Sequence, residues 1–579
     1  MPPSRTVVAH PDHVVAHTLL NCLLREVSTP ERHTTVVDGR LLLRLPHSDT
    51  VLRVALRRTS LIGAHRFNGP VTERRDAGWA ELGWRELAER IDRELRLRTG
   101  AANDEFLEQV AASHAGVSAA LDLADRPAAD DAPDDPYLES EQSLAFGHRF
   151  HPTPKARTGS AGQWRRFAPE ARARFPLHHL AVRRELVREE TARAGALAAL
   201  DRQRTVPDGY RLLPAHPWQY AMLRDHPALR AAQARGDVLD LGPGGGDFAP
   251  TASVRTLYDG RDFLKFSLNV RITNCLRKNA DYELSGAVAL TRLLEPVAHD
   301  LAARFDGCEL LREPGYRTLD LGERSLTEGL GVIVREGLAA RLRPGLTGLL
   351  AAAVADEYPT GRAQVSRLLD GAGPEETLAW WEAYLALLVP PVLAAYLDHG
   401  VVLEPHLQNV VVGVDGAGLP RQVLFRDLEG TKLLPDRHAD VLAALPTAVA
   451  RPLTYDRERG WDRVVYCLIV NHLAELLAAL ADRQPRLEPA LWSALRRVLA
   501  ARAAAHGRPP ALAALLAGAP LPAKANLLTR WGRKADRDAG YVRIANPLAA
   551  DLLSEAARSA APRPAPALLT ARSDPWSAQ

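Results

Sequence analysis

A chain of 579 residues is too long for one hydrophobic core, and length alone predicts three or four domains. An apolar fraction of 46% with 25% charged residues belongs to a globular protein, not to a disordered or membrane-embedded one. The net charge of +3 comes from arginines interspersed with Asp and Glu, without the concentrated basic patch of a nucleic-acid binder, so neither nucleic acid nor a membrane is expected as a partner.

The chain opens MPPSRTVVAHPDHVVAH, without the apolar stretch of a signal peptide. Residues 13–27 read as a helix, 35–44 and 51–57 as alternating strands, and 83–98 and 103–122 as helices. The acidic, Pro-rich stretch 125–137 reads as a domain linker. A second region starts at an N-cap near Ser140. It carries a His-rich loop, a helix around 176–200, a mobile loop GPGGGDF at 242–248, and strands near 253–258 and 262–270. Nothing fits the G-x-x-x-x-G-K-[ST] phosphate loop.

A third region begins near 340–375 with helical, Ala/Leu-rich sequence. The run AYLALLVPPVLAAYL at 383–397 is too short to span a bilayer and holds Pro390 and Pro391, so it reads as a buried kinked helix or helix pair. A strand–loop–strand unit at 401–430 and helices at 460–482 and 487–504 follow. The Ala/Pro/Ser-rich tail from about 556 reads as disordered.

Cys22, Cys275, Cys308 and Cys467 are far apart, with no C-x-x-C and no His at metal-site spacing, so neither a disulfide framework nor a zinc site is expected, and a reducing cytoplasm is. Of 73 basic residues only six are lysine, at 155, 265, 278, 432, 524 and 534. In so Arg-rich a chain, a retained Lys marks a place that needs a compact ammonium.

Three constellations carry chemistry. GHRFHPTPKARTG, 147–159, packs two His, one Lys and one Arg between glycines and cannot be a regular helix. As a rigid loop presenting cations it suits a polyphosphate or carboxylate ligand; the plainer reading is a solvated basic loop. FLKFSLNVRITNCLRKNA, 263–280, alternates as a strand with Lys265, Ser267 and Asn269 on one face and Arg271, Thr273 and Arg277 further along. It reads as a clamp for an α-phosphate and a carboxylate, or as an amphipathic surface strand. The third is Glu404-Pro405-His406-Leu407-Gln408-Asn409 between apolar strands, followed 18 residues after Asn409 by Asp427. Such hard oxygens suit magnesium, and the layout resembles a kinase catalytic loop followed by a metal-binding Asp. In AHPWQY, 215–220, Trp218 reads as a packing anchor and Gln219 as a residue able to reach a substrate.

Together these motifs resemble the IucA/IucC family of siderophore synthetases that work without a non-ribosomal peptide synthetase. The loop 147–159 is similar to that family's G-H-P-x-H-P-x-x-K-x-R-x-G, with Arg149 in place of Pro. AHPWQ matches H-P-W-Q. Residues 265–277 match K-x-S-x-x-x-x-I-T-S-x-x-R, with Asn274 in place of Ser. EPHLQN matches E-x-H-x-Q-N, and RDLEG at 426–430 matches R-D-x-x-G. The resemblance runs over about 140–550 in the same order.

The resemblance implies an α+β, multidomain cupped hand: a thumb at 1–137, fingers at 138–340 with ATP and carboxylate motifs, and a distantly kinase-like palm at 341–555, before the tail 556–579. The C-terminal part is similar to sequences labelled ferric-iron-reductase-like. An iron–sulfur role is not expected there, because Cys467 is the only cysteine after Cys308.

The implied activity is adenylation of a carboxylate by Mg-ATP, then attack by an amine or hydroxyl, with release of AMP and pyrophosphate. ATP and Mg2+ are the expected cofactors, and citrate or a related acid plus an amine or alcohol the expected substrates. His151, Lys265, Arg277 and His406 are the expected catalytic residues, with Arg277 and His406 on the substrate carboxylate. His148, Lys155, Arg157, Ser267, Thr273, Gln408, Asn409 and Asp427 are expected at the nucleotide, and Glu404, Asn409 and Asp427 at the metal. A homodimer is the candidate assembly, because similar proteins are often dimers. The competing expectations are a kinase-like small-molecule phosphotransferase and a non-catalytic siderophore- or metal-binding relative.

Overall fold

The structure is a computed structural model and describes residues 10–124, 135–273, 275–356, 364–535 and 539–549. Most of the expected linker at 125–137 and the whole expected tail from 556 lie outside the described residues.

The N-terminal region pairs a helix, Pro11–Leu23, with an antiparallel meander of five strands in sequence order, Thr34–Val37, Arg40–Leu45, Thr50–Arg58, Arg66–Arg75 and Gly78–Leu82. The segment expected as one strand at 35–44 is a hairpin, because Asp38 and Gly39 both take positive φ (49° and 69°) and turn the chain. Leu41, Leu43 and Leu45 point into the core, as alternation requires. The helix Trp84–Thr99 buries Leu87, Ala88, Ile91 and Leu95 on one face and stops at Gly100, in the left-handed region. Leu527 and Trp531 complete this core, so distant parts of the sequence fold together.

An eight-stranded sheet follows, in the order Val187–Thr191, Gly315–Leu319, Val332–Arg335, Phe263–Phe266, Thr256–Tyr258, Val238–Pro250, Phe175–Arg183 and Tyr210–Ala215. It overturns two expectations. The helix expected around 176–200 is mostly strand; only Ala198–Asp201 is α-helical. Strand partners on both edges of Phe175–Arg183 outweigh its local helix-forming residues. GPGGGDF is not a loop but part of the strand Val238–Pro250. Its pairing slips register between Pro176 and Leu177 and between His179 and Leu180, which is how a glycine-rich strand is absorbed into a sheet. The region's first helix, Pro136–Gln142, is capped by the Asp135 side chain, not near Ser140.

The third sheet has four strands, Cys308–Leu310, Pro420–Phe425, Val410–Val414 and Thr347–Leu350, the first pair parallel. The stretch 340–375 is less helical than expected, since Thr347–Leu350 pairs with Val410–Val414. Helix Pro374–Leu397 backs this sheet, runs through Pro390 and Pro391, and buries Trp380, Trp381 and Tyr384. This helix and Arg457–Arg483 are long and apolar enough to cross a membrane, but both are largely buried in the protein's own core. The second contains a π-helical stretch, Tyr466–Leu473, whose widened turn directs Tyr466 and Asn471 into the cleft described next.

Candidate active site

The loop 147–159 is shaped by its own histidines. Nδ1 of His148 accepts from the Phe150 backbone N–H, and Nδ1 of His151 from that of Thr153, both at 3.1 Å. Each ring thus closes a tight turn and, when neutral, carries its proton on Nε2. Nε2 of His148 donates to Asn471 Oδ1 at 2.9 Å, and burial pulls this imidazole down to about 4. With both nitrogens used and no charge near neutrality, His148 anchors the loop and does not fit the phosphate contact expected of it. Gly159 (φ +106°) ends the loop because a Cβ there would lie 2.7 Å from the Trp218 ring. Trp218 is the expected packing anchor, set against Trp164 and Phe167. Gln219 is buried and spans Gly329 O and the Asn269 N–H, so it braces the sheet and does not face a substrate.

Lys155 and Arg157 converge on one carboxylate. Arg157 Nη1 donates to Glu170 Oε1 at 2.5 Å and Lys155 Nζ lies 3.5 Å from the same oxygen. Burial lowers the Lys155 ammonium, and Glu170 opposes that shift. The Arg157 guanidinium also sits 4.2 Å from the Trp164 ring centroid, a cation–π contact. Nothing in the sequence singled out Glu170.

These side chains face a cleft of about 430 Å³. His148, His151, Lys155, Arg157, Thr273, Arg277, Glu404, His406 and Gln408 all line it, so nine of the expected residues are brought together. Thr273 holds a positive φ of 56°, and its hydroxyl donates to Ile272 O at 2.6 Å. The loop after Val401–Val402 is held from both ends: Asn409 Nδ2 donates to Glu404 O at 3.2 Å and the Arg426 N–H to Asn409 O at 3.0 Å. Arg426 itself is buried against Glu141 and Tyr137, a structural clamp. Burial lowers the His406 imidazole, opposed by Glu404 and Asp427.

A second group sits beside the cleft. Lys265 Nζ is buried and donates to Asp427 Oδ1 and Glu429 Oε2, both at 2.6 Å. Arg335 Nη2 lies 3.3 Å from Asp427 Oδ1, and Arg255 Nη2 donates to Glu429 at 3.2 Å. Burial disfavours charge here, but the ion pairs win: Asp427 and Glu429 fall well below the carboxylate range and Lys265 rises above its ordinary value. Asp427 adopts a φ of +68°, a strained conformation for a non-glycine residue that aims its carboxylate at Lys265. The strand Phe263–Phe266 is buried throughout, so the surface reading fails there, whereas Leu268–Ile272 alternates and exposes Arg271.

Two further expected residues are held by other partners. Ser267 is buried, with its hydroxyl donating to Glu328 O and accepting from the Asn279 N–H, so it braces the sheet and does not reach a nucleotide. Glu404 Oε1 is taken by Arg463 Nε at 2.7 Å. Burial alone would raise this carboxyl, yet Arg463 and Lys432 hold it below the usual range. Among the described residues no group of three or more His, Cys, Asp or Glu side chains is gathered as a metal site. The donor set that fits magnesium is the pair Asp427 and Glu429, hard oxygens that leave most positions to water and phosphate. Glu429, which no motif singled out, shares Lys265 with Asp427, whereas Glu404 is paired with Arg463.

The cleft also holds residues the motifs missed, among them Glu170, Arg463, Tyr466, Asn471, Glu475 and Lys524. Two signals existed in the sequence: Asn471 is polar inside the apolar run YCLIVNHL, and Lys524 is one of the six lysines.

Phosphate-matching cations beside a partly buried carboxylate pair, around a cleft, suit an enzyme acting on anionic substrates. Residues 136–356 match the IucA / IucC family, and 378–539 match the ferric iron reductase FhuF-like transporter family. The chain is 29% identical to the rhizobactin siderophore biosynthesis protein RhbC of Rhizobium meliloti, over 92% of this chain and 96% of that one. It is 30% identical to a spermidine-citrate ligase of Bacillus anthracis, over 71% and 73% respectively. The structure of ATP-bound aerobactin synthetase IucA from Klebsiella pneumoniae superposes with a TM-score of 0.81 at 26% identity, covering 93% of this chain and 99% of that one. The chain belongs to the IucA/IucC family and is an ATP-dependent ligase of siderophore biosynthesis. Among the described side chains, Cys22, Cys308 and Cys467 are buried free thiols.

Proposed function

We propose that this chain adenylates citrate or a related di- or tricarboxylic acid with Mg-ATP and passes the acyl group to an amine or hydroxyl, releasing AMP and pyrophosphate. The observation that carries the reading is the convergence of Lys155, Arg157, Arg277 and His406 on one cleft, next to the Lys265–Asp427–Glu429 group. The three larger sheets, and Asn409 and Asp427 at the facing ends of the adjacent strands Val410–Val414 and Pro420–Phe425, support a thumb, fingers and distantly kinase-like palm.

In the first step a carboxylate oxygen bonds to the α-phosphorus of ATP and the bond to pyrophosphate breaks. Lys155, Arg157 and Lys265 offset the charge that builds on phosphate oxygens. Asp427 and Glu429 would hold magnesium, which supplies further neutralisation of the phosphates when bound. Arg277 and His406 orient the acid, and His151 supports them. In the second step the nucleophile bonds to the acyl carbon and AMP leaves; His406 is the candidate to take the nucleophile's proton. Free cysteine thiols are in keeping with a reducing cytoplasm as the site of action.

The test is a panel assay with Mg-ATP, citrate and related acids, and diamines, amino acids and hydroxylamines as nucleophiles. Pyrophosphate and AMP release dependent on one acid is the expected result. Release of ADP would assign the chain to the phosphotransferases. ATP binding without turnover on any acid would favour the binding relative.

A further inference from the structure

Glu313 lies outside every motif, between the strands Cys308–Leu310 and Gly315–Leu319, and is completely buried. Its backbone is pinned by a reciprocal pair with Thr291: the Thr291 hydroxyl donates to Glu313 O at 2.9 Å and the Glu313 N–H donates to Thr291 Oγ1 at 3.2 Å. Its carboxylate is used on one side only. Arg335 Nε and Nη2 both donate to Oε1, at 3.0 and 2.6 Å, while Oε2 has no hydrogen-bond partner. An idle oxygen on a fully buried carboxylate is costly and needs a reason.

The reason lies 3.8 Å away, where the Lys265 ammonium faces Glu313 Oε1. In this structure Lys265 spends two of its three N–H donors on Asp427 and Glu429. Those are the two carboxylates that the functional reading above gives to the metal–nucleotide complex. Once they are engaged there, Lys265 must keep a counter-carboxylate or become a buried cation held only by phosphate. Glu313 is the carboxylate of the group that Arg335 holds with two N–H donors. Arg335 in turn reaches Asp427 at 3.3 Å, so the two halves of the group share a single brace.

We infer that Glu313 is a positioning residue for Lys265, taking over its ammonium when Asp427 and Glu429 turn to the metal–nucleotide complex. No proton or covalent bond moves; Lys265 exchanges one carboxylate partner for another and stays aimed at the α-phosphate. Glu313 acts through Lys265 and does not touch substrate. This inference rests on the Mg-ATP reading, and its test separates the two.

The test titrates Mg-ATP into the full-length chain by calorimetry, comparing wild type, Glu313→Gln, Lys265→Met and the double variant. Glu313→Gln keeps the shape and an acceptor for Arg335 but removes the charge. It is expected to weaken Mg-ATP binding about tenfold and to raise the KM for ATP while leaving the KM for the acid within about twofold. In the Lys265→Met background the same substitution is expected to change binding no further, a non-additivity that a merely structural role would not produce. Wild-type binding in Glu313→Gln, or an equal loss in both backgrounds, would overturn the role of Glu313. Absence of Mg-ATP binding by the wild-type chain would overturn the functional reading, and this inference with it. Should Glu313→Gln not fold, Glu313→Asp keeps the charge but withdraws it by one methylene. Weakened Mg-ATP binding with an unchanged melting temperature of the free protein supports the role, and wild-type binding overturns it.

Discussion

Arg463 donates to Glu404 at 2.7 Å, joining the helix Arg457–Val465 to the loop that carries His406 and Gln408. The pair is mostly shielded, with side-chain exposures of 21% and 12%. Removing one member of such a pair strands the other charge in poor solvent. Arg463→Met is expected to destabilise the fold by on the order of 3 kcal/mol. It should also lower turnover, because Glu404 is then free to pair with Lys432 and drag His406 with it. Denaturant melts and a steady-state assay on the same preparation check both effects; an unchanged midpoint would show that the pair does not hold the loop.

Glu170 is the common partner of Lys155 and Arg157. Its charge sets where both cations point before substrate arrives. Glu170→Gln is expected to lower kcat/KM for ATP about tenfold, roughly 1.4 kcal/mol of transition-state stabilisation, with the fold retained. The check is a comparison of kcat/KM for ATP and for the acid, since a purely structural effect would reduce both alike.

Arg277 lines the cleft close to Thr273 and is the arginine assigned to the substrate carboxylate. A charged contact strengthened in the transition state is worth on the order of 3 kcal/mol, so Arg277→Ala should reduce turnover about a hundredfold. Circular dichroism should show a folded protein. Unchanged turnover would remove Arg277 from the active site.

Acid stability follows from buried histidines. Burial holds His216 down to about 3, and His17 and His472 to about 4. His216 is walled in by Phe167, Phe175 and Phe266. As pH falls below 6.5 the unfolded chain takes up protons that these folded imidazoles refuse, so stability drops. Each group contributes a limit of about 1.4 kcal/mol per pH unit until its folded value is reached. Glu26 acts in the opposite sense. Burial raises it to about 8 while it accepts from the Leu527 and Leu528 N–H groups, so stability rises as pH falls from 8 towards 4.5. Melting temperature is therefore expected to peak near pH 6.5 and decline below it. His216→Asn, which keeps a side chain able to cap the helix Pro217–Leu223, should flatten the acid limb. An acid limb as steep as that of the wild type would assign the loss to other groups.

The local motifs were legible because their chemistry is dense in sequence. The loop 147–159 could only be an irregular cation carrier, and EPHLQN between two valine-rich strands could only be a polar loop at a sheet edge. Alternation and helical spacing found the buried faces of the N-terminal elements, since Leu41, Leu43 and Leu45, or Leu87, Ile91 and Leu95, fall on one face whatever lies opposite, but they missed the turn that splits 35–44 into two strands. The stretch 176–200 reads as a helix in sequence because its residues accept either conformation, and the choice belongs to the strands on either side of Phe175–Arg183. GPGGGDF was misread for the complementary reason: glycine signals freedom in sequence, and a sheet can remove that freedom.

By itself the sequence determined which groups this protein has to offer: an Arg-rich chain with a few placed lysines, five ordered motifs, and acids suited to a hard metal. Only the tertiary structure decided how those groups are divided. It gave Ser267, Gln219 and Arg426 to the scaffold, set Glu170 behind Lys155 and Arg157, paired Glu404 with Arg463, and brought Glu429 beside Asp427 at Lys265. The reason is physical. Whether a carboxylate serves a metal, a substrate or a neighbouring arginine depends on which charge lies within about 3 Å of it in a poorly hydrated interior. That distance is fixed by contacts between residues hundreds of positions apart.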